Sequence, residues 1–348
     1  MTANINADLE QNILVTGAAG FIGSYLCERL LQVFPKSQVI GFDVLSYCAS
    51  KDNLVEAMKN ERFSFIRGDI CNESCVRKVL KDHDIQIIVH CAAESHVDNS
   101  FGNSLHFTEV NVRGTHIMLE CAKALHAENK LVRFLHVSTD EVYGTTIEGQ
   151  VHDELCRLCP TNPYAASKAA AEMYVRAYFE SFGLPIVITR SNNIFGPRQH
   201  PEKVIPRFVQ RTLRGNVPKA IAGPERTFLY VTDVANAICT VLMSGSIGET
   251  YNIGCDNKLF ITEVAEKVVK MANEEFGANL QRYATIENDR PFNDERYRLD
   301  WSKITMLGWQ PQVKFEDGLR EIFNWHNQKD LRRNHWNDCE WLPLVETK

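Results

Sequence analysis

From residue 12 to residue 190 the chain alternates short apolar runs, rich in β-branched residues, with longer amphipathic stretches. The runs fall at residues 13–15, 39–42, 63–66, 87–89, 134–137 and 186–188. They are apolar on successive residues, with Ser64 and His136 as the polar exceptions, the pattern of strands buried on both faces, and the stretches between them have the length and period of crossover helices. This rhythm predicts an α/β chain: a doubly wound parallel sheet covered on both sides by helices.

Beyond Arg190 the rhythm breaks. Gly196-Pro197 and Pro201 interrupt it, and a helix is predicted over 204–214, ended by Gly215. The strand-then-helix pattern returns at 227–231 and 233–243, and on that pattern we assign the unit to the main sheet. Helices near 262–273 and 315–327 then belong to a smaller mixed α/β C-terminal lobe. The expected division is 10–195 for the sheet domain with 227–245 rejoining it, 196–226 and 246–330 for a substrate lobe, and 331–348 for a tail with no readable role. A chain of 348 residues is long enough for both units.

The formal net charge of −6 is the wrong sign for a chain that wraps nucleic acid. No apolar run approaches the ~18 residues of a membrane span, and the N-terminal stretch holds Asp8 and Glu10 without an apolar signal core. A cytoplasmic protein with neither nucleic-acid nor membrane partner is expected. The 11 cysteines are irregularly spaced and expected as reduced thiols. The one C-x-x-C, Cys156 to Cys159, lacks a second pair at metal-ligand spacing, so no metal is expected.

The first apolar run leads into Thr16-Gly17-Ala18-Ala19-Gly20-Phe21-Ile22-Gly23 and then an apolar-periodic helix. Glycines at 17, 20 and 23 suit a tight turn, close approach of backbone to a pyrophosphate, and close packing of helix on sheet. Asp43 closes the second run, where a carboxylate accepts from both ribose hydroxyls and repels a 2′-phosphate, favouring NAD over NADP. Asp69, after the third run, would reach the same edge with Ile70 near an adenine; its other reading is a helix cap ahead of Asn72 and Glu73. Together these features describe a dinucleotide-binding Rossmann unit.

The G-x-x-G-x-x-G spacing resembles the extended short-chain dehydrogenase/reductase superfamily, and that resemblance predicts a Tyr-x-x-x-Lys. Tyr164-Ala165-Ala166-Ser167-Lys168 follows the helix start Asn162-Pro163. Four residues apart on a helix places phenol and ammonium on one face, and the ammonium with a positive nicotinamide would lower the phenol toward neutrality, making a base. Ser138-Thr139-Asp140-Glu141-Val142-Tyr143-Gly144 comes directly after an apolar strand, so Asp140 and Glu141 stand at the carboxyl edge where open α/β sheets bind ligands. Adjacent residues point differently and can reach two atoms of one substrate. A solvated turn is the alternative.

These segments, with Ala92-Ala93-Glu94-Ser95-His96-Val97-Asp98 and Pro201-Glu202-Lys203-Val204-Ile205-Pro206, resemble the dTDP-glucose 4,6-dehydratases and the closely similar UDP-glucose 4,6-dehydratase modules. The likeness covers residues 12 to 328. It implies a lyase with internal redox, converting dTDP-glucose or UDP-glucose to the 4-keto-6-deoxy sugar nucleotide with NAD as cofactor. By that resemblance Tyr164, assisted by Lys168 and with Thr139 positioning the sugar oxygen, takes the 4-hydroxyl proton. Glu141 removes the proton at carbon 5, and protonated Asp140 donates to the departing carbon-6 hydroxyl. Such an acid near neutrality needs its pKa raised, and burial beside Glu141 would raise it.

The same resemblance implies cofactor contacts at Gly17, Gly20, Phe21, Ile22, Gly23, Asp43, Ser46, Asp69, Ile70, Ala92, Ala93, Ser95, Tyr164 and Lys168. It implies substrate contacts at Ser95, Thr139, Asn193, Lys203, Arg226, Asn252, Arg290 and Asn293, and a homodimer built on a helix over 105–126 and the helix bearing Tyr164. Two positions depart from the family pattern. The turn Gly223-Pro224-Glu225 before Arg226 is short, and Asn293 stands where bacterial members typically have histidine, leaving thymine and uracil both open. The competing readings are a 4-epimerase or decarboxylase on the same scaffold, disfavoured by Asp140, and an NAD-binding regulatory protein, disfavoured by the complete set of catalytic residue types.

Overall fold

The structure is a computed structural model and describes residues 5–286 and 291–327. The chain enters the main sheet at β1 (Asn12–Thr16) and crosses through α1 (Phe21–Val33) to β2 (Val39–Asp43), followed by β3 (Phe63–Arg67), α2 (Glu73–Asp82) and β4 (Ile85–His90). Two short helices, α3 (Val97–Gly102) and α4 (Ser104–Phe107), precede a π-helical turn at Thr108–Gly114 and then α5 (Thr115–Ala127). Next come β5 (Arg133–Thr139), α6 (Pro163–Phe182) and β6 (Ile186–Ser191). The remainder runs β7 (Asn193–Phe195), α7 (Val204–Leu213), β8 (Lys219–Ile221), β9 (Glu225–Tyr230), α8 (Val231–Ser244), β10 (Thr250–Ile253), β11 (Lys258–Phe260), α9 (Ile261–Phe276), β12 (Ala284–Ile286), α10 (Ser302–Thr305) and α11 (Phe315–Asn327).

The main sheet has seven parallel strands in the order β10-β6-β5-β4-β1-β2-β3. Successive side chains of β1 point to opposite faces, as a period of two requires. Ile13 and Val15 meet Leu26 and Leu30 of α1 and Val234 and Ile238 of α8. Leu14 meets the opposite cluster, which includes Val76 of α2, Met118 of α5 and Val175 of α6. The doubly wound parallel sheet read from the apolar runs is thus the architecture formed. A separate cluster, with Phe195, Phe208, Phe228, Val268 and Phe323, fills the smaller lobe around the sheet β11-β9-β7.

Three expectations are corrected. The strand at 227–231 does not rejoin the main sheet. β9 pairs instead with β7 and β11, and only the helix after it, α8, packs back onto the sheet beside α1. The seventh main strand is β10, which the sequence reading had left in the lobe. It is four residues long and fully buried, too short to show a period. The helix over 105–126 is not uniform: the π turn interrupts it, and Gly114 there lets Ile70 approach so closely that a Cβ would stand 2.6 Å from it.

The helix carrying Tyr164 has local determinants at both ends. Asn162 caps α6 by accepting from the Ala165 N–H, Pro163 occupies the first turn, and Gly183 ends it in the left-handed region. Among the described residues no helix is long and apolar enough to cross a membrane.

Candidate active site

The glycine turn sits between β1 and α1. Gly17 has φ +69°, and a Cβ there would stand 2.8 Å from the Ala92 backbone nitrogen; at Gly23 it would stand 2.1 Å from the Gly17 carbonyl oxygen. Side chains at either position would fill the cradle or push α1 off the sheet. The N-terminus of α1 begins at Gly20 with no side-chain cap, leaving its amide end open to an anion. Asp43, at the end of β2, is buried and accepts from the N–H groups of Ala19 (3.0 Å) and Leu45 (2.7 Å). Burial pushes its pKa up and these backbone donors oppose the push. An open helix terminus, a backbone cradle and a carboxylate at the second strand fit a dinucleotide.

The other predicted cofactor residues surround this turn. Phe21 and Ile22 form the first turn of α1, Ser46 lies just past β2, and the Ala92 N–H donates to the Thr16 hydroxyl. Ala93 and Ser95 continue the segment that leaves β4. Asp69 is exposed and accepts from the Cys71 N–H, while Ile70 is buried. The cap of α2 is Asn72, so the helix-cap reading of Asp69 is corrected.

The acidic pair lies at the other end of the carboxyl edge. β5 ends at Thr139 and turns directly into a 3-10 helix, Asp140–Tyr143. Asp140 is 1% exposed; it accepts from Asn192 Nδ2 at 2.7 Å and from the Thr139 hydroxyl at 3.2 Å. Burial, and secondly the neighbouring Glu141 carboxylate, push its pKa up to about 7. Glu141, half-buried in the cavity wall, accepts from Asn162 Nδ2 at 3.1 Å and is also pushed up by burial. Asn162 therefore ties the carboxylate to the start of α6, which its Oδ1 caps.

Tyr164 and Lys168 project from one face of α6 beneath this turn, both buried. Lys168 Nζ donates to the Val137 carbonyl at 2.8 Å, and burial lowers its pKa to about 8 against the opposing charge of Glu172. The expected lowering of the phenol by Lys168 is not found in the chain by itself. Burial, then Glu141, hold Tyr164 above the usual tyrosine value, with the Thr139 hydroxyl acting in the opposite direction.

A cavity opens between this edge and the lobe. Its wall includes His96, Glu141, Asn162, Asn193, Lys203, Arg226, Asn293 and Tyr297, with an apolar side of Phe195, Ile205, Phe208 and Phe228. Lys203 reaches back to the Ser95 carbonyl at 2.6 Å. Arg226 lies 4.8 Å over the Tyr297 ring and donates to Asn293 Oδ1 (3.0 Å) and the Asp294 carbonyl (2.9 Å). Its guanidinium is thus presented at the wall by the segment after residue 290.

Asn252 is not brought to this cavity. It is fully buried in β10, where Oδ1 accepts from the Tyr143 hydroxyl and Nδ2 donates to the carbonyls of His152 and Asp300. These bonds hold it in the interior and away from the cavity wall, which corrects its expected nucleoside contact. Arg290 lies outside the described residues, as does the tail at 331–348. Cys156 and Cys159 carry free thiols, and the Cys159 N–H donates to the Val142 carbonyl behind the acidic turn.

The sequence reading missed Asn192 and Asn162 as partners of the acidic pair. Asn162 was visible as a helix cap, but its second role depends on which loop the capped helix meets. Asn192 adjoins the predicted Asn193, and nothing in the sequence says which of the two turns inward.

The family described as GDP-mannose 4,6 dehydratase matches residues 14–322. The chain is 40% identical over 334 residues to the dTDP-D-glucose 4,6-dehydratase of Homo sapiens, covering 95% of this chain and 93% of that one. It is 44% identical over 337 residues to a trifunctional UDP-glucose 4,6-dehydratase/UDP-4-keto-6-deoxy-D-glucose 3,5-epimerase/UDP-4-keto-L-rhamnose-reductase of Arabidopsis thaliana. That match covers 96% of this chain but 49% of the plant protein, so the chain spans about half the length of that relative. The crystal structure of a dTDP-glucose 4,6-dehydratase from Streptomyces venezuelae, with NAD bound, has a TM-score of 0.86 at 37% identity and covers 96% of this chain and 100% of that one. The resemblance read from the motifs is borne out, and the chain belongs to the GDP-mannose 4,6-dehydratase family.

Proposed function

We propose that the chain is an NAD-dependent nucleotide-sugar 4,6-dehydratase acting on dTDP-glucose or UDP-glucose. The observation that carries the reading is Asp140: a buried carboxyl poised near pH 7 beside a second carboxylate, on the edge above Tyr164 and Lys168. An oxidation with return of hydride needs only Tyr164 and NAD. Loss of water needs in addition a base for the carbon-5 proton and an acid for the leaving hydroxyl.

The glycine cradle and Asp43 would hold NAD, which when bound would supply the hydride acceptor for carbon 4 and the hydride donor for carbon 6. Tyr164 receives the proton of the 4-hydroxyl, and Lys168, one turn along the helix, is the cation that favours its phenolate. Thr139, whose hydroxyl faces Tyr164, orients the same oxygen. Glu141 takes the carbon-5 proton, acidified by the new ketone, and later gives it back. Asp140 donates its proton to the carbon-6 hydroxyl, which departs as water; Asn192 and Thr139 hold the carboxyl toward that task. Lys203 and Arg226 are the cations for the diphosphate, with Asn193 and Asn293 on the cavity wall.

The proposal includes a homodimer and a cytoplasmic location. The outer face of α6 leaves Met173, Tyr174 and Phe182 exposed, and Tyr174 stacks on His116 of α5 at 4.5 Å, an aromatic seam suited to a second copy. The described cysteines are free thiols, as a reducing compartment favours.

The test is incubation of the purified, NAD-loaded chain with dTDP-glucose, UDP-glucose and GDP-mannose in parallel, read by mass spectrometry. Loss of one water from dTDP-glucose or UDP-glucose is expected. An isomer of unchanged mass would instead identify an epimerase, and loss of carbon dioxide in a further incubation with UDP-glucuronate a decarboxylase.

A further inference from the structure

Beneath the acidic turn lies a buried charge that the proposed chemistry does not use. Arg190, on β6 and 1% exposed, is surrounded on three sides. Its Nε lies 3.1 Å from each carboxylate oxygen of Glu172, and its Nη2 donates to Oε2 of the same residue at 2.6 Å. Glu172 is fully buried and belongs to α6, four residues beyond Lys168, so the pair grips the helix that carries Tyr164 and Lys168. The third nitrogen, Nη1, donates to the Tyr143 hydroxyl at 2.6 Å, and the guanidinium lies 4.7 Å over the Tyr143 ring. Tyr143 is the last residue of the turn that carries Asp140 and Glu141.

We propose that Arg190 is a positioning residue that locks the Tyr164–Lys168 helix and the Asp140–Glu141 turn to one another, with Glu172 and Tyr143 as its two arms. The inference rests on the dehydratase reading for what the two arms do: the helix serves the oxidation, the turn serves the elimination. Strand register places Arg190 opposite Ser138, two residues before Asp140, so one rigid fork spans both groups from the adjacent strand. The Tyr143 hydroxyl also donates to Asn252 Oδ1, which anchors the turn to β10 and accounts for the structural role of that asparagine. A buried pair of this kind is a poor device for stability, because well-packed apolar residues replace it at little cost; fixing two catalytic elements in register is a task apolar residues perform badly. Glu172 has a second effect on the same helix: its charge opposes the burial that lowers Lys168. The other groups facing that ammonium, His90 and His136 on β4 and β5 and Cys91, are neutral, burial holding both histidines low and the thiol high.

The experiment compares three full-length, NAD-loaded variants with the wild type. Tyr143→Phe removes one hydroxyl and leaves the ring over the guanidinium. Glu172→Leu with Arg190→Met removes the fork without leaving a buried charge. Ile304→Val, a buried position in α10 away from the edge, controls for lost stability. For Tyr143→Phe the inference expects kcat for water loss to fall roughly tenfold at unchanged KM, with the rate of nicotinamide reduction unchanged, because only the elimination arm is loosened. The double variant folds, by circular dichroism, and is slowed in both steps.

In the chain without substrate, hydrogen exchange of the amides at 140–143 quickens in Tyr143→Phe and not in Ile304→Val. Water loss at the wild-type rate in Tyr143→Phe, or equal loss of both steps in the Ile304→Val control, overturns the inference. Exchange at 140–143 that does not change overturns it as well, whatever the substrate proves to be. A wild type that releases no water defeats the dehydratase reading instead, and the exchange measurement still decides whether Arg190 couples the turn to the helix.

Discussion

At the β1–β2 end of the sheet the site is made of backbone. Gly17 sits in the left-handed region, Gly23 packs against the Gly17 carbonyl, and each oxygen of Asp43 is oriented by one backbone N–H, of Ala19 or Leu45, leaving a second acceptor site on each. At the β5–β6 end it is made of buried side chains: Asp140 under Asn192, Glu141 under Asn162, Lys168 against a carbonyl, and Arg190 between Glu172 and Tyr143. The first end is defined by shape and tolerates no added atom. The second is defined by where protons and charges rest, and tolerates a change of atoms only where the proton inventory is kept. A recognition site for a constant ligand can be built the first way; a reaction in which protons change place requires the second.

The contrast can be broken by substitutions that change one property alone. Tyr164→Phe, which removes a proton carrier at nearly constant shape, should lower turnover by about a thousandfold, within the span of general acid–base effects, and abolish nicotinamide reduction by substrate. Asp140→Asn should lower dehydration by about a hundredfold while leaving that reduction intact. Shape governs the opposite end. Gly23→Ala adds one carbon at 2.1 Å from the Gly17 carbonyl oxygen and should weaken NAD binding at least about tenfold, seen by titration calorimetry, through displaced backbone rather than lost charge.

Smaller effects sharpen the same division. Asp140 has a raised pKa, so the rate of water loss should fall as pH rises through about 7 and its acid form is consumed. The stability sign agrees: a carboxyl raised in the folded chain contributes stability that is present at low pH and lost as pH rises from the usual carboxylate range to about 7. The melting temperature of Asp140→Asn should therefore gain on the wild type across that window and level off above it. The smallest effect expected is for Asn293→His at the cavity wall: a change of about threefold or less in kcat, with any shift confined to the preference between dTDP-glucose and UDP-glucose.

The same division explains what the sequence disclosed. The glycine spacing, Asp43 and the Tyr164–Lys168 pair are local signals, set by neighbours in the chain, and each was legible before the fold. Asp140 and Glu141 were legible as an unusual pair at a strand end, and the cause of the raised pKa, burial beside a second carboxylate, followed from their adjacency. What was not legible is long-range. Asn192 meets Asp140 across 52 positions and Arg190 meets Tyr143 across 47, and no period or motif encodes such pairings. Asn252 fits a site residue by likeness and serves the interior instead, held by three partners from three segments. The strand exchange had the same cause. Glu225–Tyr230 is buried along nearly its whole length and would suit either sheet; its partner is decided by Asn193–Phe195, which leaves the main sheet one residue after β6.

The central claim is that oxidation and elimination are separate tasks, the first resting on Tyr164 and Lys168 and the second on Asp140 and Glu141. A single turnover of NAD-loaded Asp140→Asn tests it most directly, using whichever of dTDP-glucose and UDP-glucose the wild type dehydrates. Nicotinamide absorbance is followed in one channel and sugar-nucleotide mass in the other. The account predicts that the nicotinamide is reduced at the wild-type rate and that water is then lost about a hundredfold more slowly than in the wild type. Water loss at the wild-type rate would contradict it and move the acid role to another group.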